Sequence, residues 1–458
     1  MQLIRKKLAK TIHPHQLFVG IFALTIMFGG LLLSMPFAYK DGSWHWGIDS
    51  FFMATNCVCV TGLDSIGISA KLSNWGLVIV TILSELGGLG IMTIGATIFY
   101  IMGLRLSASS EIITSHDLGN RNTLGLTGLI RSAVIFAVSW ELVVAIILAL
   151  LLYFNGHENN FDIAFVKGIF FSIMGFCNAG MSLHLDSLAK YQNDYAIQIA
   201  FMVIATVGGL GFIVLKNISS LDIRKKNPLL RGRLSLHSRV VLYMTAIVIV
   251  STFIITYLLE YNGAFANLSQ TGKIIASGFH ATVSRNAGFC TIPTAQFSDA
   301  SLVWSMLIMF IGGAPGSTAG GIKVTTLAVI IATLRSASID RKETVISNRT
   351  ISHNIVRDAL VILNVYLLTI FLGILFVSIC ENASANITLK DIAFEVVSAT
   401  TTTGLSTGIT TQLTTWSKFW LVLCMFCGRL GPLTIVMTLA RRSSNFYTKF
   451  PEENLTVG

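Results

Sequence analysis

The chain has 458 residues, of which 53% are hydrophobic and 12% charged, with a mean hydropathy of +0.72. A soluble domain carries about 25% charged residues, and the apolar runs here recur from Leu17 to Leu439, several long enough to cross a bilayer, which excludes a large soluble protein. The net charge of +10 is no nucleic-acid surface, because its placement follows membrane topology.

Of the 32 Lys and Arg, 22 fall in five segments predicted to share one side: the N-terminus, 103–131, 215–239, 332–357 and the tail from Arg441. Seven lie opposite (Lys40, Lys71, Lys167, Lys190, Lys273, Lys390 and Lys418), and Arg285, Lys323 and Arg429 fall within the membrane layer. This asymmetry predicts a multi-pass protein with both termini cytoplasmic. Leu17–Met35 is too long for a signal-peptide core and no small-residue cleavage site follows it, so it is read as the first spanning helix.

Along the chain, apolar helices are predicted over about 17–35, 132–154, 240–259 and 358–380, with no polar face in segments such as Val240–Leu259. After each comes a short, moderately apolar stretch, and then a glycine in a similar setting. The four settings are Val60-Thr61-Gly62-Leu63, Asn178-Ala179-Gly180-Met181, Asn286-Ala287-Gly288-Phe289 and Thr402-Thr403-Gly404-Leu405. Three of the short stretches open with Asp-x-x-Phe (Asp49, Asp162, Asp391), where an acid can cap a short helix and match its dipole; the third, near Thr271–Thr282, has no such Asp. A second glycine cluster follows each turn by 24 to 28 residues: Gly87-Gly88-Leu89-Gly90, Gly208-Gly209-Leu210-Gly211, Gly312-Gly313 and Gly428-Arg429-Leu430-Gly431.

The unit is therefore helix, re-entrant half-helix, glycine turn, helix. Four copies predict an all-α membrane protein of eight spanning helices and four half-helices around one central pore. The copies are placed at 1–103, 104–220, 221–340 and 341–458.

This plan suits a cation. A half-helix ending at mid-membrane points its negative dipole end inward, and irregular backbone at that depth is tolerated only beside a water-filled cavity. Carbonyl oxygens of four such loops can replace the hydration shell of a monovalent ion. Glycine lets one residue per loop take a backbone geometry closed to side chains. The turn residues Val60, Thr61, Gly62, Asn178, Ala179, Gly180, Asn286, Ala287, Gly288, Thr402, Thr403 and Gly404 carry no charge, as carbonyl coordination requires, and no carboxylate ring marks a divalent site.

The stretches Cys59-Val60-Thr61-Gly62-Leu63, Asn178-Ala179-Gly180, Arg285-Asn286-Ala287-Gly288-Phe289 and Thr403-Gly404-Leu405-Ser406-Thr407-Gly408 resemble the Trk/Ktr/HKT superfamily of potassium transporters, and its Ktr branch in particular. Gly87–Thr93, Pro315–Lys323 and Gly428–Pro432 add to a resemblance that covers essentially the whole chain. The run Thr400–Thr403 departs from the more varied stretch expected there. The resemblance implies potassium uptake across the bacterial cell membrane, often with sodium as activator, by a homodimer in membrane lipid with one pore per subunit. It also implies a cytoplasmic ring of nucleotide-binding regulatory subunits, for which the basic loop Lys216–Arg239 is a docking surface unless it serves topology alone. No covalently bound cofactor and no nucleic acid are expected.

Two features depart from the repetition. Gly312, Gly313, Ala314, Pro315, Gly316, Ser317, Thr318, Ala319 and Gly320 contain too much glycine and proline for a continuous helix. The stretch is no phosphate loop, since Ile322 stands where lysine is needed. Either it is a packing face for close helix approach, or the helix breaks there. In the resembled family this position is an intramembrane loop that obstructs the pore as a gate. Arg429, a cation at membrane depth, needs a cavity or a partner. Pairing with Glu85 or Glu395 is one reading; a place beneath the filter as an electrostatic barrier, which the resemblance implies, is the other. Lys323 is expected to snorkel toward the cytoplasm, Glu141 to need a partner, and Cys424 and Cys427 to be packing residues. No His/Cys/Asp/Glu group has triad or ligand spacing, which argues against an enzyme. A coupled sodium–potassium symporter stays open, as does, less favourably on length, the ion-binding subunit of an ATP-driven pump.

Overall fold

The computed structural model describes residues 14–90, 126–219, 234–382 and 387–431. They are almost wholly helical, and the order long helix, short helix, second helix occurs four times. The first set is α1 (Pro14–Ser34), α2 (Ile48–Cys59) and α3 (Asn74–Gly88). The second is α4 (Leu126–Phe154), α5 (Phe161–Phe176) and α6 (Tyr195–Leu210), with α7 (Phe212–Ser219) continuing α6. The third is α8 (Leu236–Glu260), α9 (Gln270–Val283) and α10 (Asp299–Phe310), with α11 (Val324–Ser338) after it. A small hairpin, β1 (Val345–Ile346) and β2 (Arg349–Thr350), leads to α12 (His353–Cys380), α13 (Leu389–Thr401) and α14 (Thr415–Leu430).

Among the described residues, Arg131–Phe154, Leu236–Glu260 and His353–Cys380 are long and apolar enough to cross a membrane singly. Their outward faces carry exposed Leu142 and Ile146, Tyr243 and Ile247, Leu368 and Phe371, an apolar surface that only lipid or a partner can cover. The expectation that Val240–Leu259 has no polar face does not hold. Thr245, Thr252, Thr256 and Glu260 form a buried stripe along α8. Threonine is close to neutral in hydropathy and so does not interrupt an apolar run; the Thr252 hydroxyl is satisfied within the helix, donating to the Val248 carbonyl at 2.7 Å.

The second helices are shorter than expected, because the glycine clusters stop or bend them. The α6/α7 pair is bent by 98° at Gly211, whose φ is +81°. The Gly-Gly-Leu-Gly segment of the second copy is thus not a continuous helix. Gly90 and Gly431 share that backbone, with φ of +79° and +80°.

Buried polar staples tie long helices to second helices. Glu260 accepts from the Ser298 N–H at 2.9 Å, the Ser298 hydroxyl at 2.6 Å and the Ala264 N–H at 3.0 Å. Glu381 accepts from the Thr414 N–H and hydroxyl, both at 2.8 Å, and from Ser417 at 2.6 Å. Asp194, which caps α6, binds Asn155 and His157 at 2.6 and 3.0 Å. Of the three acids expected to cap short helices, only Asp391 joins a capping box, with Thr388. Asp49 instead pairs with Lys418 at 2.8 Å, and Asp162 lies in the first turn of α5 without a side-chain cap at that end.

Glu260 is fully buried, so its removal strands several donors, at a cost of about 3 kcal/mol. Glu260→Ala is expected to melt at a clearly lower temperature in detergent than Glu260→Gln. Equal melting temperatures for the two would show that the staple does not stabilise the fold.

Candidate functional site

Each short helix ends the same way. The residue two before the ring glycine is left-handed: Val60 at φ +54°, Asn178 at +57°, Asn286 at +75° and Thr402 at +52°. The glycine also has positive φ: +103° at Gly62, +66° at Gly180, +72° at Gly288 and +90° at Gly404. Asparagine tolerates this backbone, but branched Val60 and Thr402 pay about 1–2 kcal/mol for it. Strain of that kind persists only where the surroundings enforce it.

The four glycines meet. A Cβ built on Gly62 falls 2.9 Å from the Ala179 carbonyl oxygen, and one on Gly180 falls 3.1 Å from that of Ala287. On Gly288 it would collide with the Thr403 carbonyl, and on Gly404 with that of Thr61. The contacts run from each loop to the next and close on the first, so Thr61, Ala179, Ala287 and Thr403 set their carbonyls beside neighbouring glycines in a ring. The twelve turn residues singled out in the sequence are thus brought together, three from each loop.

The ring is held from behind by side chains, of which the sequence reading missed Asn56 and Ser398. Asn56 Oδ1 accepts from the N–H groups of Gly62 and Leu63 at 2.6 and 3.0 Å. The Ser398 hydroxyl accepts from the Gly404 N–H at 3.0 Å. Asn286 donates to the Thr401 carbonyl at 2.5 Å, linking the third and fourth loops. A usable signal was present: Asn56 and Ser398 are polar residues in short helices, each six positions before its glycine.

A vestibule of about 320 Å³ opens on the ring, lined by its four glycines with Asp64, His184, Asp186, Ser406 and others. The His184 imidazole is held below the ordinary histidine range by burial and then by Lys190 and Lys167. Asp64 and Asp186 place two carboxyl groups in the vestibule's lining. A second cavity, of about 440 Å³, lies at the helix breaks and is lined by Gly87–Gly90, Pro315–Gly321, Tyr366 and Arg429.

The segment after α10 is a closed loop. Its neck is pinned by Gly312 N–H to the Ile322 carbonyl at 2.8 Å and by Val324 N–H to that of Gly313 at 3.0 Å. Elsewhere the first glycine of the second cluster packs against the carbonyl four residues before the ring glycine: Gly87 on Val58, Gly208 on Phe176, Gly428 on Thr400. Gly312 packs instead on Gly320 of its own loop. The loop rests on α6, with Ala314 N–H to Gly209 at 3.0 Å and Thr318 N–H to Gly208 at 3.3 Å. Gly320 abuts Thr401 and Thr402. Thr318 joins loop to ring: its hydroxyl donates to the Phe176 carbonyl at 2.9 Å and accepts from Asn178 Nδ2 at 2.8 Å.

Arg429 reaches the same place. Its guanidinium donates to the carbonyls of Thr318, Gly87 and Gly88. Pairing with Glu85 or Glu395 is not what holds it. Glu85 accepts from Cys177 at 3.3 Å and is the neighbour of Glu141 that the sequence left unnamed. Glu395 accepts from Ser406 and Thr410. Lys323 donates to the Ala319 carbonyl at 2.6 Å and lines the cavity at the breaks, so it serves the loop. Cys424 is buried and Cys427 half-buried, both as free thiols. Most of the basic loop Lys216–Arg239 lies outside the described residues.

Residues 13–449 match the TrkH family, described as cation transport protein. The chain belongs to that family. It is 33% identical to the potassium/sodium uptake protein NtpJ of Enterococcus hirae, over all of both chains. It is 32% identical to the Ktr system potassium uptake protein B of Bacillus subtilis, again over all of both. The potassium transporter TrkH of Vibrio parahaemolyticus shares the fold at a TM-score of 0.68 and 18% identity, over 92% of this chain and 84% of that one. As a member of the TrkH family the chain is a multi-pass membrane ion transporter, not an enzyme.

The ring geometry separates four substitutions into two pairs. Gly288→Ala and Gly404→Ala, where the new methyl collides with a carbonyl, are expected to abolish cation flux in proteoliposomes, and Gly62→Ala and Gly180→Ala, whose nearest atoms lie at 2.9 Å, to retain more. Equal flux from Gly180→Ala and Gly404→Ala in well-folded protein would contradict the close approach.

Proposed function

We propose that the chain is the potassium-translocating subunit of a bacterial uptake system and that the ring of four glycine loops is its selectivity filter. The observation that carries this reading is the closed ring of neighbouring carbonyls with no side-chain charge among its residues. Such a ring can replace the hydration shell of a monovalent cation. The names of the relatives, a potassium/sodium uptake protein and a Ktr potassium uptake protein, support potassium as the ion carried. In this reading the four helix triplets are four repeats about one pore, with eight spanning segments if each broken second helix counts as one. Both termini lie in the cytoplasm.

The loop Gly312–Gly320 is the gate, supported by its position between the second and fourth loops and by the second cavity at its tip. Opening requires the loop to leave Thr318's partners, Asn178, Phe176 and Arg429. Arg429 holds the loop closed through carbonyls and sets a positive charge in the path. A homodimer, a cytoplasmic nucleotide-binding ring and activation by sodium belong to the same proposal and rest on the family resemblance. A second reading, coupled sodium–potassium symport, is favoured by the name of the Enterococcus relative. Current measured against rubidium flux, with and without sodium, separates the two.

In cells lacking potassium uptake, serine at Gly62, Gly180, Gly288 or Gly404 is expected to weaken growth on low potassium or admit sodium. Four silent substitutions would remove the filter assignment. Deleting Gly313–Gly320 is expected to raise flux several-fold, and Thr318→Val to raise it less. Unchanged or lower flux from well-expressed deletion protein would count against the gate.

A further inference from the structure

Nine residues before the ring glycine, three short helices carry buried apolar side chains: Met53, Phe171 and Phe279. The fourth carries Glu395, 1% exposed. A carboxylate at a site where three equivalents are greasy is costly to bury and needs a reason. Its partners supply one. Oε1 accepts from the hydroxyls of Ser406, at 3.1 Å, and Thr410, both beyond Gly404 on the segment leading out of the ring. Those hydroxyls also lie 3.1 Å from each other, and Ser406 Oγ accepts from the Gly408 N–H at 2.9 Å. The second oxygen, Oε2, is buried without a partner.

We infer that Glu395 is a positioning residue of the fourth loop that contributes to ion discrimination by clamping the exit segment against its own helix. On the near side of Gly404, Ser398 already holds the glycine N–H. On the far side Glu395 holds Ser406 and Thr410, so the chain through Gly404 is fixed at both ends. This matters most in the fourth loop, because Gly404 makes one of the two tightest approaches in the ring. Freed at Ser406, the loop can shift its carbonyls and tolerate a smaller ion. The inference rests on the proposed filter.

The test is the potassium-to-sodium permeability ratio, from reversal potentials of purified protein in liposomes. Glu395→Met, which installs the residue of the first helix, is expected to lower the ratio about tenfold, the equilibrium value of one hydrogen bond. Glu395→Gln keeps an accepting oxygen and is expected to stay near the wild-type ratio. Should Glu395→Met not fold, Ser406→Ala with Thr410→Val removes the donors instead and is expected to lower the ratio likewise. A wild-type ratio in Glu395→Met or in the donor double variant, whether or not total flux falls, overturns the inference. Gly404→Ser in the same assay keeps the two readings apart. If it changes the ratio and Glu395→Met does not, only the clamp fails; if it too is silent, the filter fails and the clamp with it.

Discussion

Four turns of backbone approach one another more closely than side chains would allow, and the other features of the site accommodate that approach. A Cβ on any of the four ring glycines would press on a carbonyl or Cα of its neighbour. The closeness requires left-handed backbone two residues earlier, even at Val60 and Thr402, where branching makes it costly. It also requires support from outside the ring, supplied by Asn56 and Ser398 through backbone N–H groups. Buried short helices and stapled helix ends then fix the turns in space.

In the proposed reading, function comes from the inequality of the four helix triplets. Three second helices seat a glycine on the short helix of their own unit, while the third gives up that contact and folds back as a loop. The loop joins the ring through Thr318 and Asn178, and Arg429 of the fourth unit reaches across to the same residue. In the proposed mechanism, opening the gate therefore changes the surroundings of the second filter loop as well as clearing the path. Backbone carbonyls of Thr318, Gly87 and Gly88 bind the Arg429 guanidinium at the cavity it lines.

Much of this was legible in the residues. The four glycine turns and the break at Gly312–Gly320 could be read because glycine and proline penalties act locally, while the cost of a membrane-depth cation marked Arg429 without choosing between its two readings. The partner of Arg429 was not legible, because main-chain carbonyls have no sequence signature. The bend at Gly211 was not legible, because a single positive-φ glycine looks like any other inside an apolar run. The threonine stripe of α8 was hidden because threonine is close to neutral in hydropathy and does not interrupt an apolar run. Asn56 was passed over because one amide in a short apolar helix reads as tolerated polarity until its six-residue offset from Gly62 is compared with that of Ser398.

The central claim is that the four loops bind a potassium-sized ion on the axis they share. Thallium substitutes for potassium and scatters strongly, so anomalous diffraction from crystals grown in thallium tests it directly. The account predicts a peak between Gly62, Gly180, Gly288 and Gly404 that weakens when sodium replaces thallium. A map with ordered thallium elsewhere and none at the ring would contradict it.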